Sequence, residues 1–149
     1  MPQFSARSRE RLDTAHHALQ RLFNEVIRHY DCTVLEGYRP PDRQRELYEA
    51  GRSKVLRGRH NVSPSLAVDV APWLPGRGVP WPKKGTKTYV KDICQFYHFA
   101  GFVEATARQV IPEYVLRWGG DWDRDHDLAD QTFDDLVHFE LRDGPGVSF

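Results

Sequence analysis

The chain has 149 residues, with 21 basic against 21 acidic side chains and a formal net charge of zero. That balance argues against a nucleic-acid binder driven by phosphate neutralisation, and no run approaches the roughly eighteen apolar residues of a membrane span. The length suits one domain over residues 1–149, which buries roughly two-thirds of its unfolded surface, and the 12% aromatic content suits a peptide- or carbohydrate-facing groove as well as a core.

Ser8 can cap a first helix running to about Tyr30, because Leu12, Ala15, Leu19, Leu22, Phe23, Val26 and Ile27 recur at helical steps. His16 and His17 have no carboxylate at ligand spacing and, with His29, read as rim residues. Cys32–Glu36 reads as a short strand stopped by Gly37, whose end delivers Tyr38 and Arg39. Pro40-Pro41 forces a turn into a helix from Pro41 to Ala50, closed by Gly51. A long basic loop, residues 52–65, follows, and long loops in compact domains are often functional.

Leu66–Ala71 alternates like a half-buried strand, with Leu66, Val68 and Val70 on one face. Asp69 lies opposite, between Ala67 and Ala71, whose small side chains leave room for an ion. After a Pro/Gly/Trp-rich excursion, residues 72–82, the pattern predicts a helix over Thr88–Ala100 with Val90, Ile93, Cys94 and Tyr97 inward. Gly101 should stop it, and a short helix over Val103–Val110 should follow. The acidic stretch Asp121–Asp130, with His126, reads as a solvated loop rather than a second ion site. Leu136–Leu141 is a second alternating strand, with Leu136, His138 and Glu140 facing one way and Val137, Phe139 and Leu141 the other. Cys32 and Cys94 lack metal-site spacing and fit reduced, mostly buried thiols, although a disulfide between them stays open. The amino terminus has no apolar secretory core, so the expected place of synthesis and folding is a cytoplasm.

The chemistry concentrates in two segments, Arg59–Asp69 and Asp135–Glu140. They offer two histidines and one carboxylate as ligands, and a spare carboxylate three residues before the second histidine. A hydrolytic zinc site needs that set: nitrogen and oxygen ligands, an open position, and a base beside it. Asp69 among apolar neighbours is the telling residue, because a buried carboxylate without a partner is costly. A cation is one partner and Arg39, as a salt bridge, the other. Asp135 is out of step with the face of His138, so a turn or bulge must aim it at the site; Asp134 competes with it for the role of base. Glu140 can orient the His138 imidazole or form a salt bridge at the core edge.

With Gly37-Tyr38-Arg39 upstream and Trp118-Gly119-Gly120-Asp121-Trp122 between the halves, these segments resemble the LAS-type zinc peptidases. That group includes D-alanyl-D-alanine carboxypeptidases and dipeptidases and the amino-terminal domain of hedgehog proteins. The Trp-Gly-Gly-Asp-Trp segment and the closing Asp135-x-x-His138-Phe139-Glu140 are most similar to the phage endolysin branch, L-alanyl-D-glutamate endopeptidases. Two features depart from the commoner pattern: eight residues separate His60 from Asp69 where six are usual, and Gly58 stands where a serine often precedes the histidine.

The resemblance implies an α+β fold, a small antiparallel sheet carrying the zinc site with helices packed against it. It implies one zinc per chain on His60, Asp69 and His138, Asp135 as general base, and Arg39 steadying substrate or oxyanion charge. Tyr38, Ser65, Asp121 and Trp122 are the implied substrate contacts. The expected reaction is hydrolysis of the L-alanyl-D-glutamate bond in peptidoglycan stem peptides. The alternatives are a D-alanyl-D-alanine carboxypeptidase on the same fold and a zinc-containing, non-catalytic hedgehog-like binding module. The expected enzyme is a monomer that engages neither nucleic acid nor membrane. It would accumulate in a phage host's cytoplasm until another protein opens the inner membrane.

Overall fold

The computed structural model describes all 149 residues. Helix α1 (Ala6–Asp13) begins where the Ser5 hydroxyl accepts from the Ser8 N–H, and α2 (His17–His29) where His16 Nδ1 accepts from the Ala18 N–H. Sequence periodicity predicts one helix here, capped by Ser8; two are found, and Ser8 is a buried residue inside the first. The break comes from a distant segment: the Ser65 N–H donates to the Thr14 carbonyl and the His16 N–H to the Ser65 carbonyl. The apolar spacing runs through the break, so local pattern cannot reveal it.

The strands are β1 (Cys32–Glu36), β2 (Ala67–Pro72), β3 (Val115–Gly119) and β4 (Asp135–Arg142), paired antiparallel in the order β1-β2-β4-β3. This is the expected α+β architecture. Helix α3 (Pro41–Glu49) follows β1, and a single 3-10 turn (Arg59–Asn61) lies within the long loop. One sheet face is covered by α2 and α4 (Tyr89–Val110), around Phe23, Phe99, Phe139 and Leu141, all fully buried. The other face carries Asp69, His138 and Glu140.

Helix α4 corrects two expectations. Gly101 does not stop it; the helix runs through, with that glycine on an open face. A mid-helix glycine costs about 1 kcal/mol against alanine, while each buried large apolar side chain contributes about 1.5–3 kcal/mol. Phe96, Phe99 and Val103 therefore outweigh it. They also set the inward face, leaving Val90 and Cys94 exposed. Cys32 is buried and both thiols are free.

Two irregularities in the sheet shape the site. An extra residue in β1, Leu35, shifts the register so that Glu36 stands opposite Asp69. Between β3 and β4 the pairing passes from Trp118–Phe139 directly to Gly119–Asp135. Residues 136–138 are thus looped out of that ladder, and the Trp118 indole N–H donates to the Leu136 carbonyl at 2.9 Å. Leu136 packs against the core instead of sharing the His138 face, as strict alternation predicts.

The second irregularity depends on Gly119, because a Cβ built there would stand 2.2 Å from the Asp135 carbonyl oxygen. Neither partner is a flexible side-chain tip. Gly119→Ala should therefore lower stability by about 1–3 kcal/mol and displace Asp135. Thermal unfolding beside a lysis assay checks this; an unchanged midpoint with full activity would show that the strands part without cost.

Candidate metal centre

Three elements converge on one point. The 3-10 turn supplies His60, β2 supplies Asp69, and β4 supplies His138 directly across from Asp69. All three are at least nine-tenths buried. His60 Nε2 lies 3.1 Å from Asp69 Oδ1 and 3.2 Å from His138 Nδ1, and the third edge, His138 Nδ1 to Asp69 Oδ1, is 3.3 Å. Zinc bonded to such atoms at about 2.0–2.1 Å in a tetrahedron separates its ligands by about 3.3 Å, so the triangle fits.

The outer nitrogens fix which atoms face inward. His60 Nδ1–H donates to the Gly37 carbonyl at 2.7 Å, leaving Nε2 facing the cluster. His138 Nε2–H donates to Glu140 Oε1 at 2.9 Å, leaving Nδ1 inward. Glu140 thus fills both roles open to it, since its Oε2 also accepts from Arg117 Nη2 at 3.1 Å. The eight residues between His60 and Asp69 end the 3-10 turn, cross a loop anchored by Ser65 and enter β2, and they do not prevent convergence.

Protonation reports the cluster's preference for positive charge. Burial alone would raise the Asp69 carboxyl, but hydrogen bonds from His138 and His60 hold it well below the usual carboxylate range. Burial alone would lower His138, but its bonds to Asp69 and Glu140 outweigh this and push it up to about 9. A proton held there must leave before a cation enters. Zinc binding at pH 7 should therefore release about one proton, and affinity should fall roughly tenfold per unit as pH drops below about 9. Calorimetry in buffers of differing ionisation heat checks this, and zero release would remove His138 from the ligand set.

Asp135 is partly buried and lines the same cavity of about 910 Å³. Burial, and behind it the Asp69 charge, raise its carboxyl above the ordinary range, although His138, His60 and Arg39 pull the other way. Asp134 is exposed and does not line the cavity. Trp122 does, its ring 5.4 Å from that of His138 and stacked on Phe133 at 6.3 Å.

The other expected substrate contacts are not brought to the cleft. Ser65 is fully buried and donates to the Ala67 carbonyl at 2.6 Å; no substrate reaches it, and its task is the α1–α2 break. Tyr38 lines a neighbouring hollow with Thr14 and Arg11. Asp121 is 3% exposed and faces a separate cavity with Glu104 and His126. Its Oδ2 accepts from the His126 N–H, and its carboxylate lies within 4.8 Å of those of Asp123 and Asp125, so this stretch folds back on itself.

Arg39 lines the main cavity, but most of its hydrogens are engaged. Nε and Nη2 clamp Glu36 at 2.9 and 2.6 Å, Nη2 reaches Asp69 Oδ2 at 3.3 Å, and Nη1 donates to Gln44 at 2.9 Å. Sequence reasoning missed Glu36 and Gln44 here. Gln44 is 1% exposed and also donates to Ser53 Oγ and the Val55 carbonyl, tying the long loop to α3. Their one signal was position, three residues before and five after Arg39.

A buried cluster of two imidazoles and a carboxylate, opening on a cleft with a further carboxylate of raised pKa, fits a metal-assisted hydrolase. The comparisons make this specific. The family model described as phage L-alanyl-D-glutamate peptidase matches residues 1–142, and the chain belongs to that family. Among solved structures it is similar to the Serratia marcescens L-Ala D-Glu endopeptidase ChiX, with a TM-score of 0.67 and 30% identity over 94% of this chain and 90% of that one. No curated protein matches. The family membership favours the endopeptidase over a carboxypeptidase or a non-catalytic module.

Proposed function

We propose that this enzyme hydrolyses the L-alanyl-D-glutamate bond of peptidoglycan stem peptides with one zinc ion held by His60, Asp69 and His138. The observation that carries the reading is the triangle of inward-facing ligand atoms, 3.1–3.3 Å on each edge, with both outer histidine nitrogens already donating elsewhere. Zinc, when bound, supplies Lewis acidity, drawing charge from the oxygens beside it and easing proton loss from water near neutral pH.

The chain's own groups do the rest. Asp135, whose carboxyl is raised by burial, takes the proton of the attacking water and returns it to the leaving amine. Arg39 steadies Asp69 through Oδ2, and its remaining Nη1 hydrogen is available to a substrate carbonyl or developing oxyanion. Trp122 and Phe133 give the cleft an aromatic wall against which a peptide can lie.

We infer a single catalytic domain over residues 1–149 acting as a monomer; one continuous core supports the single domain. No helix is long and apolar enough to cross a membrane. Lysis would then follow once another protein has opened the host membrane.

Digestion of purified sacculi, with labelling of new amino groups, tests the activity. A new amino terminus on glutamate is expected. Release of free D-alanine alone, with the L-alanyl-D-glutamate bond intact, would assign the carboxypeptidase reaction instead.

A further inference from the structure

The positive charge of the cleft is not evenly spent. Eight lysines and arginines line it against four carboxylates, although the whole chain is neutral. Part of the surplus gathers at Glu140, whose Oε2 is faced by three guanidiniums from three elements. Arg117 Nη2 of β3 lies at 3.1 Å, Arg142 Nη1 of β4 at 3.7 Å and Arg59 Nε of the 3-10 turn at 3.8 Å. Only the first is a hydrogen bond by distance, and the other carboxylate oxygen belongs to His138. One shared negative charge cannot balance three positive ones held so near.

The middle arginine is also incompletely bonded. Arg117 Nε is buried and has no hydrogen-bond partner, while its guanidinium lies 5.1 Å from the centre of the Trp122 ring and Nη1 makes only a long contact to the Trp122 carbonyl. A buried N–H left unpaired is costly and rare in native proteins. Arg39, the arginine expected to meet substrate, is by contrast committed to Glu36, Asp69 and Gln44.

We propose that Arg59, Arg117 and Arg142 form an anion subsite beside the metal cluster. It takes the free carboxylate of the glutamate on the leaving side of the scissile bond. This rests on the L-alanyl-D-glutamate reading. Glutamate has two carboxyl groups and at most one continues the peptide, so the other stays ionised within a few bonds of the amine that leaves. A planar carboxylate matches the guanidinium fork, and a carboxamide brings no charge to it. The subsite therefore makes the enzyme selective for stems with the acid over those amidated at that group.

The test uses two synthetic stem peptides that differ only in this group, carboxylate or carboxamide, cleaved by the zinc-loaded full chain. The expected result is a preference for the carboxylate of roughly tenfold to a hundredfold in kcat/KM, carried mainly by KM. Arg117→Met should bring the preference below about threefold, and Arg117→Lys should restore part of it. Arg142→Gln, at a more exposed position, serves where Arg117→Met folds poorly and should lower the preference in the same direction. Equal cleavage of both peptides by the unaltered enzyme overturns the subsite while leaving the activity intact. So does an arginine variant that loses rate equally on both peptides. Cleavage of neither at the alanyl-glutamate bond overturns the activity reading, and the subsite with it.

Discussion

Asp135→Asn should lower peptidoglycan hydrolysis by roughly 10²–10⁴-fold while keeping the fold and the bound zinc, because general acid–base help is typically worth that much. The side chain keeps its size, so Gly119 still fits against the Asp135 backbone and the looped-out segment before His138 is undisturbed. Asp134→Asn should be nearly silent, since that carboxylate is exposed and outside the cleft. A turbidity assay beside zinc analysis separates the cases, and the opposite pattern would move the base to Asp134. The pH profile offers a second check. A base must be deprotonated to act, so activity should be lost as pH falls through the Asp135 pKa, which burial raises and a bound cation would lower. The Asn variant should lose that acidic limb.

His60→Ala and His138→Ala should each reduce zinc from about one per chain to near zero and abolish lysis, as should exhaustive chelation, with recovery on adding zinc. The two variants differ in stability. Removing His138 leaves Asp69 and Glu140 each short of a buried partner, and breaking such pairs costs about 3–5 kcal/mol. Removing His60 leaves His138 to pair with Asp69, so the loss should be smaller. His16→Ala is the control, since His16 Nδ1 caps α2. It should cost about 1 kcal/mol of stability and no zinc. Normal zinc content in His60→Ala would disprove the ligand assignment, and full activity after complete chelation would disprove metal dependence.

The long basic loop illustrates how sequence and structure divide the information. Its length and charge suggested function, but not that Gln44 and Ser65 tether it from opposite ends. Both are polar residues in segments where apolar spacing carries the signal, and both owe their roles to partners distant in the chain. Strand β3 escaped for a related reason: Val115–Gly119 is short and is defined by pairing with β4, while its tryptophan and glycines read as a cleft wall. Arg117, between them, gave no local sign of meeting Glu140.

The sequence by itself determined the segments that carry His60, Asp69 and His138, and the α+β class. Side-chain chemistry and period-two patterning are local properties, and Asp69 between two alanines declares its face without help. Tertiary structure decided what depends on two backbones meeting. It broke the first helix at Ser65, carried α4 through Gly101 because aromatic burial outweighs one glycine, and looped out the residues that set Asp135 beside the cluster. It also determined which arginines remain available. Arg39 is clamped by Glu36 through a one-residue register shift in β1, whereas Arg59, Arg117 and Arg142 share a single carboxylate. A charge's availability depends on its neighbours in space, and only the folded chain brings those neighbours together.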